Sequence, residues 1–188
     1  MLLAAGRGER MRPLTDATPK PLLEVRGAPL LQHHMQALVA AGVSRAVVNT
    51  GWLGARIPAH FGAAFTAGAG RLALAYSAEP EQAFETAGGI ARALPLLGEV
   101  FWLAAGDVYA PDFDFPAAAA RAFAASGQLA HLWLVPNPAH NPRGDFGLDH
   151  SGLGEQGLAL DLPEGDPRPR YTYSTIALLK AELFAAPW

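Results

Sequence analysis

The chain has 188 residues, about half of them hydrophobic, and no cysteine. That is enough for one globular domain with a substantial core, and it excludes disulfides and thiolate metal sites. Fourteen basic residues against seventeen acidic ones leave a net charge of −3, so a general nucleic-acid binder is disfavoured and any anion site has to be a local cluster.

No apolar run approaches the length that spans a bilayer, and the opening MLLAA is too short for a signal segment. A cytoplasmic protein with no membrane or nucleic-acid partner is expected. The first residue already lies in strand-like sequence and the last residues, AELFAAPW, carry no polar tail, so further residues are expected beyond both ends.

Residues 1–5 read as a short buried strand. Residues 30–41 place Leu30, Leu31, Met35, Leu38 and Val39 at helical spacing, with Gly42 standing where a C-cap glycine belongs. The β-branched run 45–49 reads as a second strand, 53–61 as a helix disturbed by Pro58, and 72–77 as a third strand. A helix over 86–97, opened by Thr86 and followed by Gly98, leads to a fourth strand at 100–105 that ends in Gly106 and Asp107. Residues 115–127 are a further helix and 129–135 a further strand.

Alternating strands and helices predict an α/β domain with a mostly parallel central sheet and helices on both faces. Beyond Pro136 the texture changes: 136–170 is rich in Pro, Gly and Asp, and 171–179 alternates before turning apolar. The stretch 136–179 is read as a lid of loops and short antiparallel strands, built on a nucleotide-binding core at 1–135. Ligands of open α/β sheets sit beyond the C-terminal strand ends. Gly6, Glu79 and Asp107 each follow a predicted strand and should converge there.

The opening stretch concentrates charge: Arg7, Arg10, Arg12 and Lys20 surround Gly6 and Gly8, and Lys20 is held between Pro19 and Pro21. A glycine-rich loop with fixed cations suits a phosphate cradle. The P-loop pattern is absent, and the dinucleotide fingerprint fails at Met11, which disfavours hydride transfer. Thr15, Asp16 and Thr18 read as turn chemistry. His33 and His34 are adjacent on a helix and so make no metal pair, while Trp52, Trp102, Trp133 and Trp188 read as core.

The string LAAGRGERMRPLT, followed by PKPL at 19–22, resembles the signature of the sugar-phosphate nucleotidyltransferases. With ETAGGIARALPLLG (85–98), GDV (106–108), NPRGDFGL (141–148) and YTYSTIALL (171–179), the chain looks most like their N-acetylmuramate-1-phosphate uridylyltransferase branch, of the peptidoglycan-recycling pathway. The resemblance implies a Rossmann-like nucleotidyltransferase fold and, as partners, UTP and a sugar 1-phosphate, N-acetylmuramate 1-phosphate first. Another sugar phosphate, or dTTP or GTP, is the alternative within the chemistry, and a catalytically silent nucleotide-sugar binding domain the alternative outside it.

The resemblance also implies roles. Leu3, Ala5, Gly6, Gly8 and Glu9 meet the nucleotide, Arg10 and Lys20 are catalytic cations on its phosphates, and Asp107 binds Mg2+. The base is expected near 79–89, at Glu79, Gln82, Glu85 and Thr86, although Thr86 reads equally well as a helix N-cap. Ala87 stands where relatives often carry glycine. Ala105, Gly144, Asp145, Tyr173 and Ser174 fall to the sugar, with Thr175 beside them. Ala105 replaces an asparagine of the relatives, and their second metal aspartate, in a tryptophan-aspartate-valine-glycine segment, has no counterpart here; the reading is that the chain stops before it.

Overall fold

A computed structural model of the chain describes residues 1–80, 84–151 and 157–185. The elements in chain order are β1 (Leu2–Leu3), α1 (Leu14–Ala17), β2 (Glu24–Val25), β3 (Ala28–Pro29), α2 (Leu30–Ala40), β4 (Arg45–Thr50), α3 (Arg56–Phe61), β5 (Ala64–Ala67), β6 (Gly70–Ala78), α4 (Thr86–Ala93), β7 (Val100–Ala105), α5 (Ala117–Ala125), β8 (Ala130–Val135), β9 (Gly147–Asp149), β10 (Leu158–Leu160) and β11 (Thr172–Lys180).

Seven strands form one sheet in the order β5-β6-β4-β1-β7-β11-β8. Its centre, β6-β4-β1-β7, is parallel, and β5, β11 and β8 join antiparallel. Side chains alternate between two cores, as strand geometry requires. Leu2, Ala46, Val48, Ala104 and Ile176 meet α2 on one face, where Leu31 and Met35 are fully buried. Val47, Phe101, Leu103, Ala177 and Leu179 meet Ile90 and Ala93 of α4 on the other. The α/β sandwich with a parallel centre is thus the observed architecture.

The helix over 30–41 is observed at Leu30–Ala40. Gly42 takes a φ of 79°, and the amides of Gly42 and Val43 close the helix onto Val39 and Leu38.

Three expectations differ in detail, and one strand was not anticipated. Pro58 does not disturb α3: it lies in the first turn, where its missing N–H has no helical partner to lose. The helix over 86–97 stops at Ala93 and gives way to a 3-10 turn, Leu94–Leu96, because Pro95 cannot continue the ladder. Thr86 is the first helical residue and not the cap; Glu85 holds that position without a side-chain cap bond. The hairpin strand β5, turning into β6 through Gly68 at φ 56°, carries no alternation a sequence reading detects.

The larger correction concerns 171–179, which is not lid. β11 lies inside the main sheet between β7 and β8, and its run Ile176–Leu179 is buried on both faces. A strand covered on both sides reads as a continuous apolar run, not as alternation. The separate small sheets are the β9–β10 and β2–β3 pairs. No helix among the described residues is long and apolar enough to cross a membrane.

Candidate functional site

The C-terminal ends of β1 and β7 deliver the glycine loop and Asp107 to one place. A cleft of about 260 Å³ opens there, lined by Leu3 to Gly6, Lys20, Pro21, Asn49, Phe84 to Thr86, Ala105 and Asp107. A larger cavity of about 580 Å³ lies elsewhere, against β8 and the β9–β10 hairpin, lined mostly by leucine, alanine and glycine. Its size alone does not make it the functional site, because the polar, charged and titratable groups converge on the smaller cleft.

The loop after β1 is folded by its own residues. Gly8 is left-handed at φ 67°, and a Cβ there would meet Thr15 Cγ2 at 3.0 Å and Lys20 Cβ at 3.2 Å. Thr15 is buried and donates from Oγ1 to the Gly8 carbonyl at 2.9 Å, while the Met11 amide donates to the same carbonyl. The amides of Gly6, Arg7 and Gly8, in contrast, donate to no described residue. Successive unpaired N–H groups at a strand end can receive an anion.

The four cations are placed differently. Arg7 stacks over the Trp52 ring at 4.0 Å and pairs with Glu9 at 3.4 Å; Arg12 pairs with Asp16 at 2.7 Å. Arg10 has no bonded partner among the described residues. Lys20 Nζ donates to Asp107 Oδ2 at 2.8 Å, with both side chains partly exposed.

Asp107 is brought to the mouth by close strand packing. A Cβ on Gly106 would lie 2.6 Å from Leu31 Cδ1 and 3.0 Å from the Leu3 carbonyl, which accepts the Gly106 amide at 2.8 Å. The chain after Asp107 is pinned by the buried His34, whose Nε2 donates to the Val108 carbonyl at 2.8 Å. Asp107 is a single hard-oxygen donor, with a cationic ammonium already against it. Such a carboxylate suits a divalent ion whose other ligands are phosphates and water. Among the described residues no cluster of three or more acidic or histidine side chains forms a self-sufficient metal site.

Leu3, Ala5, Gly6, Lys20, Glu85, Thr86, Ala105 and Asp107 therefore meet in the cleft, while Gly8, Glu9 and Arg10 stand on the loop beside it. Glu79 is buried behind it, its oxygens taken by Asn49 Nδ2 and the Phe84 amide. Gln82 lies outside the described residues.

Gly144, Asp145, Tyr173 and Ser174 do not line this cleft. Asp145 instead stitches the 141–146 turn to β11: Tyr173 N–H donates to its Oδ2 at 2.8 Å and Asn141 Nδ2 to its Oδ1 at 3.1 Å. Ser174 Oγ accepts the Ile176 amide at 3.3 Å. Burial pushes the Tyr173 phenol up to about 12.

Sequence reasoning missed Asn49, Phe84 and Trp52. Asn49 and Thr50 are buried polar residues that follow the apolar run Ala46–Val48. Trp52, expected in the core, is a partly buried loop residue whose Nε1 donates to the Thr15 carbonyl at 3.0 Å. Trp102 and Trp133 do pack together, at 5.0 Å between ring centres, and Trp188 lies outside the described residues.

A sequence profile described as nucleotidyl transferase matches residues 1–164. The chain is 46% identical, over 98% of its length and 76% of the relative's, to N-acetylmuramate alpha-1-phosphate uridylyltransferase of Neisseria meningitidis serogroup B. The enzyme of the same description from Caulobacter vibrioides is 46% identical over 61% of the chain and 44% of that protein. In three dimensions the chain is similar to UTP-bound UGPase from Acinetobacter baumannii, with a TM-score of 0.76 over 97% of this chain and 74% of that one. At 18% identity that likeness concerns the fold alone.

Proposed function

The chain belongs to the nucleotidyl transferase family, and from that premise we propose that it transfers a uridylyl group from UTP to N-acetylmuramate 1-phosphate, releasing pyrophosphate. The observation that carries the substrates is the 46% identity to the Neisseria enzyme along nearly the whole chain. A soluble cytoplasmic setting, where UTP is available, accompanies this reading.

In the reaction an oxygen of the sugar 1-phosphate attacks the α-phosphorus of UTP. The bond to the β-phosphate breaks on the opposite side, and pyrophosphate leaves with the electron pair. Both reactants are anions, so holding them in line and balancing their charge is most of the catalytic task.

The amides of Gly6, Arg7 and Gly8, which donate to no described residue, receive the triphosphate. Leu3, Ala5 and Glu9 flank it, and Arg10, without another partner among the described residues, turns its guanidinium fork onto the β- and γ-oxygens. Lys20 moves its ammonium from Asp107 to the α-phosphate and the incoming phosphate, a transfer of little cost for a partly exposed pair.

Asp107 is the residue that would hold Mg2+. When bound, that ion supplies positive charge shared by the phosphate oxygens. Glu85 and Thr86, in the wall of the cleft, face the uracil. Ala105 borders the sugar, and the Gly144–Asp145 turn with Tyr173 and Ser174 of β11 forms its far side.

Pyrophosphate release by the full chain with Mg2+, over a panel of UTP, CTP, GTP and dTTP against N-acetylmuramate, glucose, N-acetylglucosamine and mannose 1-phosphates, tests the proposal. Preference for UTP with N-acetylmuramate 1-phosphate is expected. Preference for another pair would reassign the substrates, and no release with any pair would overturn the activity.

A further inference from the structure

Two buried polar side chains, Asn49 in the lining of the cleft and Glu79 behind it, join the backbone segments that form its walls. Asn49, near the end of β4, is 4% exposed, and Glu79, just past β6, is 9% exposed. The Ala4 amide donates to Asn49 Oδ1 at 2.7 Å, and Asn49 Nδ2 donates to Glu79 Oε1 at 2.7 Å. The Phe84 amide donates to Glu79 Oε2 at 3.0 Å.

The direction of this chain is forced. Both ends are backbone N–H groups, which only donate, so Asn49 has to turn its oxygen toward β1 and its NH2 toward Glu79. Glu79 then has to accept at both oxygens. α4 closes over the pair, for a Cβ on Gly89 would lie 2.5 Å from Glu79 Oε1 and 3.1 Å from Asn49 Nδ2. In so dry a place each bond is directional, and a lost partner leaves a buried group unsatisfied.

We propose that Asn49 and Glu79 are positioning residues for the nucleotide. They hold the β1 end, which leads into the glycine loop, at a set distance from the segment Phe84–Thr86, so that triphosphate and base are gripped at once. Both segments line the cleft. Neither side chain has to touch the reacting atoms; each acts through backbone it anchors. The inference rests on reading the cleft as a UTP site.

The polarity of the network supplies its test. Glu79→Gln sets an NH2 against either Asn49 Nδ2 or the Phe84 amide. Asn49→Asp sets a carboxylate oxygen against Glu79 Oε1. The double variant Asn49→Asp/Glu79→Gln repairs both conflicts by reversing the central bond: the carboxylate at 49 accepts from Ala4 and from the amide NH2 at 79, whose oxygen accepts from Phe84.

Calorimetric binding of Mg2+-UTP to folded protein, KM for each substrate, and Tm are measured. Each single variant should weaken UTP binding on the order of tenfold, and the double variant should return to within about threefold of wild type. KM for UTP should rise more than KM for the sugar phosphate.

Single variants that bind UTP like wild type, whatever their Tm, overturn the positioning role, as does a double variant no better than the worse single. Should a single variant fail to fold, Gly89→Ala decides: its methyl presses on the pair without deleting a partner. Weakened UTP binding by that folded variant supports the role, and wild-type affinity overturns it. Wild-type protein that binds no UTP overturns the functional reading and this inference together, a result distinct from unaffected variants.

Discussion

Lys20 Nζ lies 2.8 Å from Asp107 Oδ2, an ion pair that closes 87 positions of sequence across the mouth of the cleft. Both partners keep roughly a quarter to a third of their side-chain surface in solvent, so the pair contributes about 1 kcal/mol or less to stability. Its position matters more than its strength, because each member is proposed to serve the substrates and each keeps the other charge-balanced until they arrive.

Lys20→Ala should slow turnover by at least about a hundredfold, the scale for losing one preorganised charge contact. Steady-state pyrophosphate release measures it. A change under about threefold would argue against a role for Lys20 on the phosphates.

Asp107→Ala should abolish turnover while Tm stays within about 3 °C of wild type, since only a partly exposed ion pair is lost. Thermal unfolding monitored by circular dichroism, beside the same assay, separates the two effects. Near-normal turnover with Mg2+ would remove Asp107 from the metal site.

Thr175 stands at φ 67° in the irregular part of β11, between the pairs Tyr173–Leu134 and Ala177–Leu132, and its buried Oγ1 has no hydrogen-bond partner among the described residues. A left-handed threonine costs about 1–2 kcal/mol and an unsatisfied buried hydroxyl about 1–3 kcal/mol, whereas glycine adds about 0.5–1 kcal/mol of unfolded-state entropy. Thr175→Gly should therefore be more stable, with Tm higher by roughly 2–4 °C. A lower Tm would mean that packing of the side chain outweighs the strain.

Gly144 carries the opposite expectation. It is left-handed at φ 66°, and a Cβ there would lie 2.7 Å from Asn137 Oδ1 and 2.9 Å from the Arg170 backbone. Gly144→Ala should cost about 2 kcal/mol or more, because backbone strain and the clash add. Urea denaturation checks this, and a loss below about 0.5 kcal/mol would show that the turn can shift freely.

His131, in β8, sits 4.5 Å from the Trp133 ring and 6.3 Å from that of Phe123, and burial lowers its pKa. The folded chain then resists a proton that the unfolded chain accepts near pH 6.5. Unfolded protein binds more protons in that window, so stability rises with pH there. Stability should be intact above about pH 6.5 and decline as pH falls below it. His34, also lowered first by burial, adds in the same direction. His131→Gln should reduce the slope of unfolding free energy between about pH 7.5 and 5.5; an unchanged slope would assign it elsewhere.

Strands and helices with a strong period were legible from residues alone. The stripe Leu30, Leu31, Met35, Leu38 announces α2, and the run 45–49 announces β4. β11 was misplaced because its polar first half, Thr172–Thr175, obscures the continuous apolar run Ile176–Leu179 that marks burial on both faces. β5 was invisible since its four residues, AFTA, are too short a run to show a period. At the site, the glycine loop, Lys20 and Asp107 could be picked out through the family signature, and their convergence through the rule that ligands meet strand ends. Asn49 could not, because an asparagine at a strand end has no meaning until Ala4 and Glu79 are beside it.

The order of residues by itself determined which chemistry was at hand: a cation-rich glycine loop, a carboxylate after a buried strand, and the period of each helix, all local consequences of residue type and spacing. Tertiary structure alone decided which of those groups are free to act. Arg12 is engaged by Asp16 and Asp145 by Tyr173, whereas Arg10 and the amides of Gly6, Arg7 and Gly8 find no partner among the described residues. Hydrogen bonds and ion pairs form between groups that approach within about 3 Å, and for residues dozens of positions apart only the packing of the sheet sets that distance.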